Sequence, residues 1–195
     1  YPALLESSLH EGGLGRYSIL CWAPFKKLTV HPDHVAVEEP PGAPGTVRRG
    51  DPFRVLAEEF NRDRPALPDD PGVPFAGGMV GFFSYDLRHQ VERLPRECDY
   101  DLPVPHAVLC FYDRALVFDH ERDVTEWVAL PRAGAARPPE PRPQADMPDI
   151  PAVTLRPNFT REDYIGAVAR AREYIAAGDI FQVNLSQRFS GACPA

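Results

Sequence analysis

The sequence lacks the features of a nucleic-acid-binding or membrane protein. Its 195 residues carry 21 Lys and Arg against 28 Asp and Glu, which gives a net charge of -7 at pH 7. No basic excess is therefore available to neutralise phosphates. No apolar run approaches the ~20 residues that a membrane-spanning helix needs. We therefore expect neither nucleic-acid binding nor membrane insertion.

Cysteine is scarce, and the four cysteines (Cys21, Cys98, Cys110 and Cys193) form no Cys-x-x-Cys pair. Cys21 and Cys110 lie inside apolar, strand-like runs, which favours buried free thiols in a reducing compartment. A disulfide or metal site is the alternative. The first residues lack the basic stretch of a signal peptide, so we expect a cytoplasmic protein. Because the chain also lacks an initiator methionine, we expect it to be a segment of a longer protein.

Several catalytic signatures are also missing. No Gly-Lys-Ser/Thr follows the glycine-rich residues 77–81, which excludes a P-loop, and close packing between sheets explains these glycines better. No Gly-x-Ser-x-Gly nucleophile elbow occurs. The six histidines are scattered, and no spacing singles out a pair of catalytic carboxylates. We therefore predict no metal site within this segment.

The pattern of apolar residues predicts an α+β fold with mostly antiparallel β-sheets and flanking helices. Short apolar or alternating runs bounded by Gly, Pro and Asp predict strands over residues 17–22, 27–30, 34–38, 75–87, 107–112, 114–119 and 124–130. The first three predict an antiparallel meander, and the short connections between the last three predict hairpins.

Two helices are predicted from their caps. Asp51 and Pro52 suit the N-cap and first position of a helix, and Thr160 and Gly178 suit the two ends of another. Helical spacing places Phe53, Leu56, Ala57 and Phe60 on one face of the first helix. In the second helix the apolar residues at this spacing are Tyr164, Ile165, Val168, Ala171, Tyr174 and Ile175.

A proline-rich stretch divides the chain. Residues 131–151 contain seven prolines and three charges of each sign, which is typical of a solvated linker. We therefore predict an N-terminal region over residues 1–130, a linker over 131–156, and an incomplete second domain over 157–195.

Two groups of residues carry polar chemistry. Residues 180–189 alternate as in a strand, so the amides of Gln182 and Asn184 are predicted to project from one face about 6.6 Å apart. Arg188 follows on that face, and neutral donors with a cation suit an anionic substrate, although a solvated strand surface is the simpler interpretation. Near the N-terminus, Glu6 and Arg16 flank glycines 12, 13 and 15.

The N-terminal group suits a small zwitterion. Glu6 can bind an ammonium group, and Arg16 with backbone N–H groups can bind a carboxylate, while Ser7 adds a hydroxyl. A surface turn between two strands is the alternative interpretation of the same residues.

Four motifs resemble component I of the aminodeoxychorismate and anthranilate synthases. Residues 4–7 (LLES) are similar to a tryptophan-binding motif of that family. Residues 77–87 (GGMVGFFSYDL) with 92–95 (ERLP), and residues 102–105 (LPVP), follow in family order. Residues 178–189 (GDIFQVNLSQRF) resemble the strand that opens the chorismate-binding domain, and they are the most specific of the four.

This resemblance implies an α/β sandwich built from more chain than is present, and a reaction in which ammonia aminates chorismate. It implies Mg²⁺, with ligands outside this segment, and a glutamine amidotransferase subunit or domain that supplies the ammonia. It implies catalytic roles for Gln182 and Asn184, and a pocket for L-tryptophan at Glu6, Ser7 and Arg16.

The residue types at two positions refine the expectation. Water-adding relatives have a lysine where this chain has Gln182, and an amide cannot take a proton near pH 7 as a lysine can. Asn184 is more typical of aminodeoxychorismate synthases, whereas the LLES motif favours anthranilate synthases. The segment alone is expected to be inactive, or to act as a tryptophan-sensing and glutaminase-docking module.

Overall fold

Strands dominate the structure, a computed structural model that describes residues 1–9, 14–64, 71–95, 101–133, 137–138, 140 and 152–192. The chain divides into unit 1, residues 1–141, and unit 2, residues 142–195. Every strand pair in these ranges is antiparallel, and only two α-helices accompany them. The predicted α+β class is therefore confirmed. Neither helix of the described ranges is long and apolar enough to cross a membrane.

The described residues of unit 1 form nine strands, one α-helix and two short 3₁₀ segments. In chain order they are β1 (Ala3–Leu5), β2 (Tyr17–Cys21), β3 (Lys26–Val30), β4 (Val35–Glu38), β5 (Thr46–Arg48), α1 (Pro52–Asp63), β6 (Gly78–Phe83), a 3₁₀ turn (Tyr85–Gln90), β7 (Ala107–Tyr112), β8 (Arg114–Asp119), β9 (Val124–Ala129) and a second 3₁₀ turn (Pro131–Ala133). They form a four-stranded sheet of order β1-β2-β8-β9 and a five-stranded sheet of order β5-β4-β3-β7-β6.

The predicted strand positions are largely correct, but part of the predicted pairing is wrong. β3 pairs with β4, and β8 pairs with β9, as expected. However, β2 and β3 belong to different sheets, and so do β7 and β8. Only Asp113 separates β7 from β8, which is fewer than the two residues of the shortest common hairpin loop, so the chain passes from one sheet to the other.

The main core lies between the five-stranded sheet and α1. It contains Leu28, Val30, Val35, Val37, Leu109 and Phe111 from the sheet and Val55 and Leu56 from the helix. Asp51 caps α1 by accepting a hydrogen bond from the backbone N–H of Phe53 at 2.9 Å, as predicted. The predicted apolar face is wrong at Phe53, which is 41% exposed, and at Ala57, which is also exposed, because Val55 and Glu59 turn inward instead.

A buried ion network joins α1 to the sheet. The Lys26 ammonium is fully buried and contacts the carboxylates of Glu59 and Asp63. Glu59 is also paired with Arg48 at 2.8 Å and Arg62 at 2.7 Å. Burial raises the pKa of Glu59, but the hydrogen bonds from Lys26 and Arg48 and the nearby cations outweigh it, so that the pKa lies below its ordinary value. The network thus keeps a buried carboxylate ionised.

Two cysteines of unit 1 are buried free thiols, as predicted. Cys21 and Cys110 lie in a second apolar cluster with Tyr112, Ala115 and Val117. Burial raises the pKa of the Cys21 thiol to about 11 and also raises that of Cys110. Cys98 and Cys193 lie outside the described residues.

Unit 2 has little buried surface. It contains β10 (Arg156–Pro157), α2 (Arg161–Ala177) and β11 (Phe189–Ser190), and β10 pairs with β11. Both predicted caps of α2 are present: Thr160 accepts a hydrogen bond from the Asp163 N–H, and Gly178 adopts a left-handed conformation. No residue of α2 is buried, and its apolar face is largely exposed, with Tyr164 packed edge to face on Phe159.

Much of the predicted linker over residues 131–156 lies outside the described residues. Its first residues belong to unit 1. Arg132 donates to Asp63 and lies over the Phe25 ring, and the Trp22 indole N–H donates to the Arg137 carbonyl at 2.9 Å. The predicted domain boundaries at 130 and 157 stay predictions.

Candidate functional site

The residues predicted to bind an effector lie in the connection between β1 and β2. β1 is an edge strand that pairs with β2 in the register Leu5↔Ile19, so the two ends of the connection leave the sheet side by side. Glu6 and Ser7 follow β1 directly, and Arg16 directly precedes β2. The structure therefore brings all three into one loop, whereas glycines 12 and 13 lie outside the described residues.

The two arms of this loop approach closely at Ser7 and Gly15. Gly15 has φ +66°, and a Cβ there would lie 2.1 Å from the Leu9 carbonyl oxygen and 2.9 Å from Ser7 Oγ. Only glycine fits so close an approach in this conformation. Ser7 Oγ donates to the Leu9 carbonyl at 3.3 Å and accepts from the Leu9 N–H at 3.4 Å, so its hydroxyl is held in a local turn.

Glu6 is exposed and Ser7 partly exposed, so both side chains can reach a ligand. Glu6 makes no hydrogen bond or ion pair with any part of the chain that the structure describes. A free carboxylate beside a serine hydroxyl suits the ammonium end of an amino acid.

Arg16 is already engaged. Its guanidinium donates two hydrogen bonds to the Asp119 carboxylate, from Nε to Oδ1 at 3.0 Å and from Nη2 to Oδ2 at 2.7 Å. The Arg16 hydrogen bond lowers the pKa of Asp119 to about 2, although burial opposes the shift. The Arg16 guanidinium was predicted to bind a ligand carboxylate, but in the structure it is already paired with Asp119.

The glycine-rich residues 77–81 serve packing. A Cβ at Gly81 would lie 1.9 Å from the Val108 carbonyl oxygen, and one at Gly77 would lie 2.7 Å from Leu130 Cδ1. At Gly81 the close neighbour belongs to β7 of the same sheet, which differs from the predicted packing between sheets, whereas the neighbour of Gly77 follows β9 of the other sheet.

The residues predicted to act on the substrate lie between α2 and β11. Gln182 and Asn184 are both exposed, and neither is in a strand. The predicted strand over residues 180–189 is wrong except at its end, because no described strand pairs with residues 180–187, and a strand requires a hydrogen-bonded neighbour. The predicted burial of an apolar face is also absent, since Phe181 is 92% exposed.

Both ends of this segment are fixed. At its start, the Gly178 N–H donates to the Ile175 carbonyl and the Asp179 N–H to the Tyr174 carbonyl, which closes α2. At its end, the Asn158 N–H donates to the Arg188 carbonyl at 2.9 Å, and the Arg188 N–H donates to Asn158 Oδ1 at 2.9 Å. Gln182 and Asn184 therefore lie on an exposed span between two anchored points.

A Mg²⁺ site was expected to lie outside this segment. Within the described ranges, no three His, Cys, Asp or Glu side chains converge as a metal ion would require. These residues therefore do not fit the metal, and no step of the chemistry can be assigned to it here.

With the geometry of both sites known, the family can be named. The sequence profile of the chorismate binding enzymes matches residues 5–195, so the chain belongs to this family. The match spans both the β1–β2 connection and the exposed segment with Gln182 and Asn184.

The relatives include two kinds of synthase. The chain is 32% identical over 97% of its length to aminodeoxychorismate synthase component 1 of Escherichia coli, and it covers 42% of that protein. It is 38% identical over 74% of its length to anthranilate synthase component 1 of Thermus thermophilus, of which it covers 33%. The chain thus spans less than half of the curated relatives that it matches.

A solved structure shares the fold. Anthranilate synthase component I of Streptococcus pneumoniae matches with a TM-score of 0.69 at 23% identity, over 95% of this chain and 44% of that one. At this identity the match confirms the fold alone.

Two residues that hold the β1–β2 connection, Asp119 and His120, were not indicated by the sequence pattern. The His120 N–H donates to the Arg16 carbonyl at 2.8 Å, and His120 Nε2 shares a 2.7 Å hydrogen bond with Ser18 Oγ. Asp119 lies 103 residues from Arg16, and no local motif could have joined them.

Proposed function

We propose that this chain is the N-terminal part of a synthase that aminates chorismate to 4-amino-4-deoxychorismate. The main support is the segment at residues 178–189, where an exposed Gln182 stands in a stretch that resembles the start of the chorismate-binding domain. The segment is anchored at both ends, and the apolar face of α2 is largely exposed. Both features suit a domain that is completed by chain beyond this segment.

The proposed chemistry depends on an uncharged side chain at position 182. Ammonia replaces the 4-hydroxyl group of chorismate, and water leaves. Activation of water as the nucleophile would require a base, and the Gln182 amide cannot take a proton near pH 7. Gln182 instead orients the incoming ammonia through hydrogen bonds, and Asn184 binds a polar group of the substrate.

Anthranilate is the alternative product, formed by amination at C2 with loss of the 4-hydroxyl group as water and of the enolpyruvyl group as pyruvate. Asn184 favours aminodeoxychorismate, whereas the LLES motif favours the tryptophan-regulated anthranilate synthases. Relatives of both kinds are similar to this chain.

The ammonia would come from a glutamine amidotransferase subunit or domain. Mg²⁺, held by residues outside this segment, would supply Lewis-acid chemistry to the complete protein. Because its ligands would lie beyond this segment, we expect the segment alone to be inactive. The buried free thiols suit the reducing cytoplasm as its location.

A second proposed role is effector binding in the β1–β2 connection. Glu6 would bind the ammonium group of L-tryptophan, with the Ser7 hydroxyl oxygen as a second acceptor, and backbone N–H groups would bind its carboxylate. The exposed carboxylate of Glu6 beside the Ser7–Gly15 approach supports this role.

Product analysis tests the main proposal. The full-length protein is incubated with chorismate, ammonia and Mg²⁺, and the products are separated and identified by mass. We expect 4-amino-4-deoxychorismate. Anthranilate with pyruvate would support the alternative, and the absence of any aminated product would contradict both.

Calorimetry with L-tryptophan tests the effector role. We expect saturable heat, which Ser7→Ala should weaken. Ser8→Ala, which changes the next residue, serves as the matched control and should leave the affinity unchanged. Equal affinity in the Ser7→Ala variant would contradict the assignment.

A further inference from the structure

The effector loop, by which we mean the connection between β1 and β2, is held by hydrogen bonds to the turn between β8 and β9. On the loop side, the Arg16 side chain donates hydrogen bonds and the Arg16 carbonyl group accepts one. On the turn side, Asp119 accepts both guanidinium hydrogen bonds, and the His120 N–H donates to the Arg16 carbonyl at 2.8 Å. A charged, two-point contact and a backbone bond thus join segments about a hundred residues apart.

The turn that receives the loop is itself ordered by Asp119. Asp119 Oδ1 accepts the backbone N–H groups of Glu121 at 3.1 Å and Arg122 at 3.2 Å. Asp119 is only 3% exposed, so its carboxylate is buried, and both of its oxygens accept hydrogen bonds. If Arg16 turned away toward a ligand, this buried charge would lose its cation.

The fastened arm carries the close approach to Ser7. Gly15 precedes Arg16 and lies against Ser7 and Leu9, so the position of Arg16 sets the spacing of the two arms. A displacement of Arg16 would therefore move Gly15 away from the Ser7 hydroxyl.

We propose that Arg16 and Asp119 are positioning residues of the amino-acid effector site, and that Arg16 does not bind the effector carboxylate. This proposal rests on the proposed effector role of the β1–β2 connection. It reassigns Arg16 and adds Asp119, which the sequence did not indicate.

Calorimetry with two ligands separates positioning from direct binding. Tryptamine is tryptophan without its carboxylate, so a ligand role for Arg16 would make Arg16→Gln weaken tryptophan but not tryptamine. A positioning role predicts that Arg16→Gln weakens both by a similar factor, on the order of tenfold. An unchanged tryptamine affinity together with a weakened tryptophan affinity would overturn the proposal.

The variant Asp119→Asn tests the positioning role independently. Asparagine keeps an oxygen for the Glu121 and Arg122 N–H groups but removes the charge that holds Arg16. Positioning predicts weaker tryptophan binding and little further loss in the double variant with Arg16→Gln. Unchanged or tighter binding in Asp119→Asn, with Arg16 released toward the ligand, would contradict it. Arg49→Gln, which removes an exposed ion pair with Asp33, is the control and should bind as the unsubstituted protein does.

Hydrogen exchange distinguishes failure of this proposal from failure of the effector role. If the unsubstituted protein binds neither ligand, the effector role is wrong. Loss of the contact between Arg16 and Asp119 should still make amide exchange faster over residues 14–20 and 117–122 in both Arg16→Gln and Asp119→Asn. Unchanged exchange in those peptides would refute the positioning role whether or not tryptophan binds.

Discussion

The two units of this chain differ in how much of their apolar surface they bury. Unit 1 packs α1 on a five-stranded sheet and buries Leu28, Val30 and Val35 almost completely. Unit 2 contains a well-capped helix of 17 residues with no buried side chain. The caps and apolar spacing of α2 are thus local features, whereas among the described residues a buried core that favours cooperative unfolding is found in unit 1.

The proposed roles follow the same division. The effector loop is held by ion pairs and hydrogen bonds of unit 1, whereas Gln182 and Asn184 lie on an exposed span of unit 2. A binding loop benefits from a rigid support, and the substrate-facing residues would gain theirs when the chorismate-binding domain is complete.

Core truncation should give the largest difference between the units. Leu28→Ala should lower the free energy of unfolding of unit 1 by about 3 kcal/mol, because it leaves a cavity in a closed core. Ile165→Ala on the exposed face of α2 should change it by less than about 0.5 kcal/mol. Both tryptophans, Trp22 and Trp127, lie in unit 1, so tryptophan fluorescence during urea unfolding reports this unit alone. Similar effects of the two substitutions would contradict the proposed division.

The buried ion network should give the next largest effect. Lys26→Met should destabilise unit 1 by about 2 kcal/mol, less than for an isolated buried pair because arginines still contact Glu59 and Asp63. The exposed pair of Arg49 and Asp33 provides the control, and Arg49→Gln should change the stability by less than about 0.5 kcal/mol. A Lys26→Met protein as stable as the control variant would show that the network contributes nothing.

Acid should weaken unit 1 through the same network. The pKa of Glu59 is lower in the folded chain than its ordinary value of 4.5, so its stabilisation is complete above that pH. It is lost as the pH falls through the lowered folded pKa. Urea midpoints measured by tryptophan fluorescence at descending pH should therefore fall, and Glu59→Gln should show a smaller fall. An identical pH dependence in the Glu59→Gln variant would contradict the assignment.

Local patterns predicted the elements well because each depends on neighbouring residues. The strands at Ala107–Tyr112 and Arg114–Asp119 were predicted at their observed bounds, and both helices have their predicted N-caps. Strand pairing was less predictable, because one residue, Asp113, carries the chain from one sheet to the other. The strand predicted around Gln182 needs a neighbour that the described residues do not supply.

The site was predictable only in part for a similar reason. Glu6, Ser7 and Arg16 are close in sequence, so a shared loop was foreseeable. The partner of Arg16 was not, because Asp119 approaches through the pairing of β2 with β8, a contact between distant parts of the sequence. The register of paired strands identifies such a partner, whereas a sequence motif does not.

The central claim is that an uncharged amide at position 182 selects ammonia over water. The most direct test is the full-length Gln182→Lys variant with chorismate, Mg²⁺ and ammonia, with products identified by mass. The account predicts a hydroxylated product from addition of water, which neither the unsubstituted protein nor the Gln187→Lys control forms. A Gln182→Lys protein that only loses activity and yields no hydroxylated product would contradict it.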